Sequence, residues 1–361
     1  MLDAGEAADS GEAADAREAA DAREAADARE AADAREAADA REAAEAVAAA
    51  FGLGRAVGPL AALSYRSSPT WTLAARAGRF LVKHVAAEEW RDDFARAMRF
   101  EDKALAAGIA MGRPVSPEVP ALGYAAEVDG IGLVRVYEWI DGRPLEASDD
   151  VSTWLGSTLA RLHRIEPDGR PEAAPEWYRL DDRALWDGWL QEGERLRKPW
   201  APSLREGLTG ILGAAAWVSR AFLEAGDYVV THRDVEPWNV LVTATGPVLI
   251  DWDVAGPDSA RLEAAQATLS FSARDGMPDP GVVRRTIGAY VDGGGVPFSG
   301  ADVMVRRVGL RLGRLAERLR MSLGLQSLGP HDLAGVEARA AEQIADMPGF
   351  VERVRLFGSM L

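Results

Sequence analysis

One stretch constrains this chain most: "VVTHRDVEPWNVLVTATGPVLIDWDVAGP", from Val229 to Pro257. Three apolar, β-branched runs, "DYVV", "NVLV" and "PVLI", read as short strands, with "TATGP" as the turn joining the last two. Around them sit His232, Asp234, Glu236, Asn239, Asp251 and Asp253. Burying carboxylates at strand ends costs free energy unless they are paired or used, so this cluster asks for a purpose.

The surroundings divide into two patterns. Between Val57 and Val136, "TWTLAARAGRFLVKHVAA" reads as two strands around a turn at "RAG", and "AEEWRDDFARAMRFEDKALAAG" as an amphipathic helix through Trp90, Phe94, Met98 and Leu105 that stops at Gly108. A further strand, "IGLVRVYEW", ends in the turn "IDGRP". From about Ser148 the chain is mainly helical, in "DVSTWLGSTLARLHRIE", "RALWDGWLQEGERLR" and "SLREGLTGILGAAAWVSRAFLEAG". In the later helix from Asp302 to Leu323, Met304, Val308, Leu312, Leu315 and Leu319 share one face, which predicts a packed helix with a solvated basic side. A small mixed lobe is therefore followed by a larger helical one.

The first 45 residues behave differently. They repeat "REAADA" and hold fifteen Asp/Glu against five Arg, so 5 − 15 = −10 of the net charge of −16 lies there. Ala, Glu and Arg favour helix, but a six-residue period does not match 3.6 and no large apolar side chain recurs. Such a segment reads as a solvated, frayed helix or disordered tail, or as an arm for a protein partner that the sequence does not identify. The acidic balance argues against nucleic acid as a partner. With no cysteine, disulfides, thiol chemistry and cysteine-based zinc sites are excluded, and the four scattered histidines form no HExxH-type pair that would argue for a histidine zinc site. No apolar run of about 18 residues and no signal-peptide pattern appear, so the expectation is a cytoplasmic protein with no membrane partner.

"HRDVEPWN" fits the pattern His-x-Asp-four residues-Asn, and "VLIDWD" supplies Asp251 twelve residues after Asn239. Together they resemble the phosphotransferase family that contains aminoglycoside phosphotransferases, choline kinases and homoserine-kinase-like enzymes. The resemblance implies an α+β, two-lobed protein-kinase-like fold, with a β-rich nucleotide-binding lobe at 48–140, a helical catalytic and acceptor lobe at 141–361, and the repeat tail at 1–47. It assigns Asp234 to the acceptor hydroxyl, and Asn239 and Asp251, hard oxygen donors, to Mg²⁺. His232 belongs to the same loop as a supporting residue. Asp253, two residues beyond Asp251 and on the same side of a continuing strand, either assists the metal or caps the next turn.

The same resemblance makes demands on the smaller lobe. It implies ATP as donor, with GTP left open, and a lysine for the α/β-phosphates. Lys83 in "RFLVKHV" fits, being one of only three lysines beside 38 arginines. Its glutamate partner would be Glu101, facing inward with Phe94 and Met98, in preference to Glu88 or Glu89. Backbone groups from Tyr137 to Trp139 would meet the purine edge near Ile140. A GxGxxG loop is absent; "LSYRSSPTW" stands in its place and offers Ser64, Ser67 and Ser68. "AGPDSARLEAA" places Glu263 as a brace for the catalytic loop, and His163 in "LARLHRIEP" reads as a packing residue.

The acceptor expected is a small hydroxylated metabolite or antibiotic, because "IDWDVAGP" runs directly into helix with no long activation segment for a peptide to lie on. Trp177, Trp186, Trp189 and Trp200 cluster in the acceptor lobe, either as stacking faces that roof the site or as helix packing. Twelve Asp/Glu against thirteen Arg between Asp258 and Leu361 form no acidic trough for a polycation. The alternative function is a catalytically silent nucleotide-binding module whose acidic tail recruits a partner.

Overall fold

The computed structural model describes residues 38–63, 68–85, 91–274, 277–328, 331–359 and 361. The chain forms two units, one of Met1–Arg91 with Gly112–Ile140, the other of Asp92–Met111 with Asp141–Leu361.

The first unit is built on a five-stranded antiparallel sheet. Its strands β1 (Ala61–Ala62), β2 (Thr70–Ala75), β3 (Gly78–His84), β4 (Ala125–Val128) and β5 (Gly132–Glu138) lie in the order β1-β2-β3-β5-β4. The expected hairpin turns at Arg76 and Ala77, with Ala75 paired to Gly78. Alternation puts Leu73, Phe80, Val82, Val134 and Val136 in the core. A helix α1, over residues 38–50, packs on them through Ala44, Val47 and Ala48, with Phe51 just beyond. The boundary at residue 47 thus falls inside this helix. Its physical cause is the change from "REAADA" to "EAVAAAF", which adds Val47 and Phe51 at i, i+4 and so creates an apolar face that the pure repeat lacks. The repeat before residue 38 lies outside the described residues.

The second unit is mainly helical. Its elements are α2 (Arg91–Ala106, joining this unit from Asp92), α3 (Ser152–Leu162), α4 (Arg183–Arg195), α5 (Ala201–Ala225), α6 (Ala260–Ser272), α7 (Pro280–Asp292), α8 (Val305–Ser322) and α9 (Leu333–Gly358). Sequence reasoning put α2 with the smaller lobe; it packs here instead. Phe100 meets Trp252 at 6.3 Å, Lys103 pairs with Glu166 at 2.7 Å, and Arg161 donates to the Ala107 and Gly108 carbonyls. Gly156 lets α3 approach α7: a Cβ there would collide with the Thr286 carbonyl. Helix α6 is buried on all sides, and Met304, Val308, Leu312, Leu315 and Leu319 are fully buried along α8, as its pattern predicts.

Of the short sheets that interrupt the helices, two carry the polar stretch. One joins β6 (Gly142–Pro144), β8 (Val240–Thr243) and β9 (Gly246–Leu249); the other pairs β7 (Tyr228–Thr231) with β10 (Gly256–Ser259). Between β7 and β8, and again between β9 and β10, lie the polar residues of the opening stretch.

The packing of α1 gives a first test. Phe51 is 4% exposed within the core of the first unit. Phe51→Ala is expected to cost about 3–5 kcal/mol in urea denaturation. A loss below about 1 kcal/mol would show that α1 is not part of that core.

Candidate active site

The loop after β7 takes an unfavourable backbone turn at Arg233, whose φ of 67° lies in the left-handed region. Two buried charges hold the backbone of that residue. Glu263 Oε1, on α6, accepts the Arg233 N–H at 2.5 Å, while Oε2 accepts from the Thr231 hydroxyl at 2.6 Å and from His163 Nε2 at 2.8 Å. From the other side Arg306 Nη2, on α8, donates to the Arg233 carbonyl. Asp258 fixes Arg306 at 3.0 Å and also accepts from the Tyr178 hydroxyl at 2.7 Å. Trp177 lies within reach of both guanidinium groups, 5.7 Å from Arg233 and 5.9 Å from Arg306.

That turn presents Asp234 half-buried, and Asn239 is locked onto it. The Asn239 amide nitrogen donates to the Asp234 carbonyl at 3.0 Å and to its Oδ2 at 2.8 Å. Asp234 Oδ1 and Asn239 Oδ1 accept no hydrogen bond among the described residues. His232, fully buried, ties this loop to the next one. Its Nδ1 accepts the Asp234 N–H at 3.2 Å, so the proton sits on Nε2, which donates to the Ile250 carbonyl at 3.1 Å. Burial holds this imidazole below its ordinary value, against the pull of nearby carboxylates, which suits the neutral tautomer that the two bonds require.

Asp251 follows Ile250 and also has a φ of 67°. Strand β9 ended at Leu249, so the chain here is no longer extended. The strand alternation that put Asp253 on the same side as Asp251 therefore does not apply; Asp253 starts a turn instead. The chain reaches α6 at Ala260 after that turn and β10 alone. No group of three or more His, Asp or Glu positioned for a metal occurs among the described residues. What is present is a carboxamide oxygen and a carboxylate, Asn239 and Asp251. Two hard oxygen donors suit Mg²⁺, which keeps most of its sites for water and phosphate.

In the first unit Lys83 lies on β3 directly opposite Arg135 of β5. Paired residues in an antiparallel ladder share a face, so two cations stand together there, and Tyr137 follows on the same face, 5.0 Å from the Arg135 guanidinium. Arg135 was not singled out from the sequence; arginine is so common in this chain that one more carries no signal. Part of the Tyr137–Trp139 backbone expected at the base edge is already engaged. The Glu138 and Trp139 N–H groups already donate to the Arg113 and Arg79 carbonyls, at 2.9 and 3.0 Å. Neither is left for a base edge. Glu101, on α2 in the second unit, is fully buried as expected. Ser64 and Ser67 lie outside the described residues, as do Glu88 and Glu89.

The tryptophans do not roof a site. Trp186 and Trp200 are fully buried and Trp189 nearly so; Trp186 donates to the Leu180 carbonyl at 2.7 Å and Trp200 to Ser322 Oγ at 2.9 Å. They are core, as their spacing on packed helices also allowed. Among the described residues the exposed one is Trp238, in the loop between Asp234 and Asn239, at 51%. His163, read as a packing residue, is buried but bonded at both nitrogens, to Glu263 and, at 2.8 Å, to the Tyr290 hydroxyl.

Glu263 makes the loop sensitive to acid. Burial alone would raise its carboxyl, but the His163 hydrogen bond and the Arg306 charge bring it down to about 2 from an ordinary 4.5. The unfolded carboxyl therefore takes up its proton first as pH falls. This contribution is complete above pH 4.5 and is lost as pH falls towards about 2, amounting to about 3 kcal/mol. Glu263→Gln should be less stable at pH 7 and show a shallower acid limb than wild type; parallel limbs would assign the acid sensitivity elsewhere.

Three comparisons with known proteins bear on this geometry. A spectinomycin phosphotransferase solved in complex with ADP and spectinomycin matches with a TM-score of 0.56 at 12% identity, over 86% of this chain and 95% of that one. A choline/ethanolamine kinase family protein from Mesorhizobium loti matches with a TM-score of 0.55 at 18% identity, over 89% of this chain and 99% of that one. At such identities the likeness establishes the fold, the two-lobed protein-kinase-like one. The trifolitoxin immunity protein of Rhizobium leguminosarum bv. trifolii is 48% identical over 52 residues, which is 14% of this chain and only 20% of that protein's length. The sequence pattern of the phosphotransferase enzyme family matches residues 60–295, and the chain belongs to that family.

Proposed function

We propose that this phosphotransferase moves the γ-phosphoryl group of a nucleoside triphosphate, ATP in the first instance, to a hydroxyl of a small molecule. The observation that carries the reading is the Asp234–Asn239 pair. Its internal hydrogen bonds orient both side chains and still leave one carboxylate oxygen and one carboxamide oxygen unclaimed. In this reading Asp234 Oδ1 accepts a hydrogen bond from the acceptor hydroxyl and takes its proton as the oxygen attacks phosphorus. Asn239 and Asp251 would hold Mg²⁺, which neutralises phosphate charge when bound. Lys83, with Arg135 beside it, is assigned to the phosphates, and Glu101 to the lysine. With Glu138 and Trp139 engaged, the Ile140 N–H becomes the donor assigned to the base. Asp253 and Glu263 support the two loops without touching the reacting atoms.

The small-molecule acceptor is favoured by the short connection from Asp251 to α6, which offers no extended platform for a peptide. A protein of the same fold bound to ADP and a small antibiotic is in keeping with it.

Asp234→Asn should lower turnover by about 10²–10⁴-fold while leaving Mg·nucleotide binding nearly intact, because the carboxylate acts on the acceptor. Transfer of label from γ-labelled ATP, beside calorimetric nucleotide binding, checks both halves. Equal turnover in variant and wild type would sink the assignment. Asp251→Ala should instead abolish the Mg²⁺-dependent part of nucleotide binding; unchanged metal dependence would remove Asp251 from the metal site.

A further inference from the structure

Beside the catalytic loop the second unit contains a cavity of about 720 Å³, a size suited to a small metabolite. Glu236, Pro237 and Trp238, between Asp234 and Asn239, form one wall. The facing walls come from α6, α8 and α9.

The charge of those walls is unusual for so acidic a chain. Arg307, Arg311, Arg314, Arg318 and Arg339 line the cavity, against Glu236, Glu342 and Asp346, giving 5 − 3 = +2. Four of the five recur at i, i+4, i+7 and i+11 along α8, which aligns them on one face of the helix. The carboxylates do not neutralise them. Asp346 is shared by Arg311 at 2.8 Å and Arg353 at 3.1 Å. Glu236 is buried, is hydrogen-bonded to Gln266 at 3.0 Å, and has its carboxyl pushed up by burial. Among the described residues Arg318 donates only to the neutral Gln343. Arg307 and Arg314 make neither a hydrogen bond nor an ion pair among the described residues. Partly buried like charges this close repel one another, a cost that a bound anion removes.

We infer that the cavity is the acceptor site and that its occupant is an anionic hydroxylated small molecule, its carboxylate or phosphate held by Arg307, Arg314 and Arg318. The assignment rests on the phosphotransfer reading of Asp234. An arginine fork accepts either anion bidentately, and Leu310, Phe350 and Trp238 supply apolar surface for the carbon skeleton. A polycation such as an aminoglycoside meets the wrong sign of field here.

The test separates charge recognition from turnover. Full-length protein with ADP and Mg²⁺ is heated with gluconate, glucitol or glucamine at fixed ionic strength; these share a hydroxylated chain and differ only at the terminal carboxylate, alcohol or amine. Gluconate should raise the unfolding midpoint most and glucamine least, and the order should vanish in R314Q/R318Q with ADP binding unchanged. A flat or reversed order overturns the inference. In parallel, γ-labelled ATP is offered to the anionic, neutral and cationic fractions of a bacterial small-molecule extract. Label is expected in products of the anionic fraction, reduced at least tenfold in R314Q/R318Q. Loss of that label after phosphatase treatment of the fraction identifies a phosphate ester, its persistence a carboxylate. Asp234-dependent label only in the neutral or cationic fraction overturns the anionic class while sparing the kinase reading. Label in no fraction overturns the kinase reading and, with it, the acceptor assignment.

Discussion

The geometry of the candidate site depends on one residue's backbone, the two peptide groups that flank Arg233. A left-handed, non-glycine residue costs about 1–3 kcal/mol and persists only where its surroundings over-determine it. Here a buried anion grips the N–H and a buried cation grips the carbonyl, so Arg233 is held on both sides, by Glu263 and by Arg306. Each charge would be expensive alone. Arg306 is paired with Asp258, and Glu263 is satisfied by Thr231, His163 and the Arg233 amide, so the network is close to balanced. Gly256 makes the room: a Cβ there would lie 2.5 Å from an Arg233 guanidinium nitrogen. What the network obtains is the direction of Asp234, one residue further on.

The second left-handed residue, Asp251, is coupled to the first through a single imidazole. A rigid ring with one donor and one acceptor at opposite edges can join an amide N–H to a carbonyl oxygen, which neither a hydroxyl nor a carboxylate does as well. His232 spans from Asp234 N–H to Ile250 carbonyl in this way, with Trp252 set edge-on at 4.6 Å. The residue assigned to the acceptor and the residue assigned to the metal thus share one neutral side chain as their common reference.

Much of this was legible beforehand, and the limits have physical causes. Asp234, Asn239 and Asp251 stood out because polar residues at strand ends are costly, and the helical pattern of α8 was plain because its five apolar residues keep one period. Long-range partners were harder to see. Arg306 is one of 38 arginines, Asp258 and Tyr178 lie 80 residues apart, and nothing local marks them as one cluster. Of the two readings of Asp253, shared strand side or turn residue, the backbone favours the turn, because a period of two holds only while the chain stays extended and the turn after β9 breaks it. The tryptophans stayed ambiguous for a related reason: large aromatic side chains serve cores and ligands alike, and composition does not say which. For Trp186 and Trp200 the satisfied indole N–H groups decide for the core.

Helix α8 joins these themes, because its three faces do different work. Val308, Leu312, Leu315 and Leu319 anchor it in the core, Arg306 reaches back to the Arg233 carbonyl, and Arg307, Arg311, Arg314 and Arg318 look into the cavity. Successive residues on a helix are turned by about 100°, so neighbours 306 and 307 point to different places by geometry alone. One arginine is therefore structural and the next faces the cavity. A shift of one residue in register would bury the second and release the first, unseating the Arg233–Asn239 loop and the cavity wall together. The apolar stripe that fixes this register is thus also what keeps loop and cavity aligned.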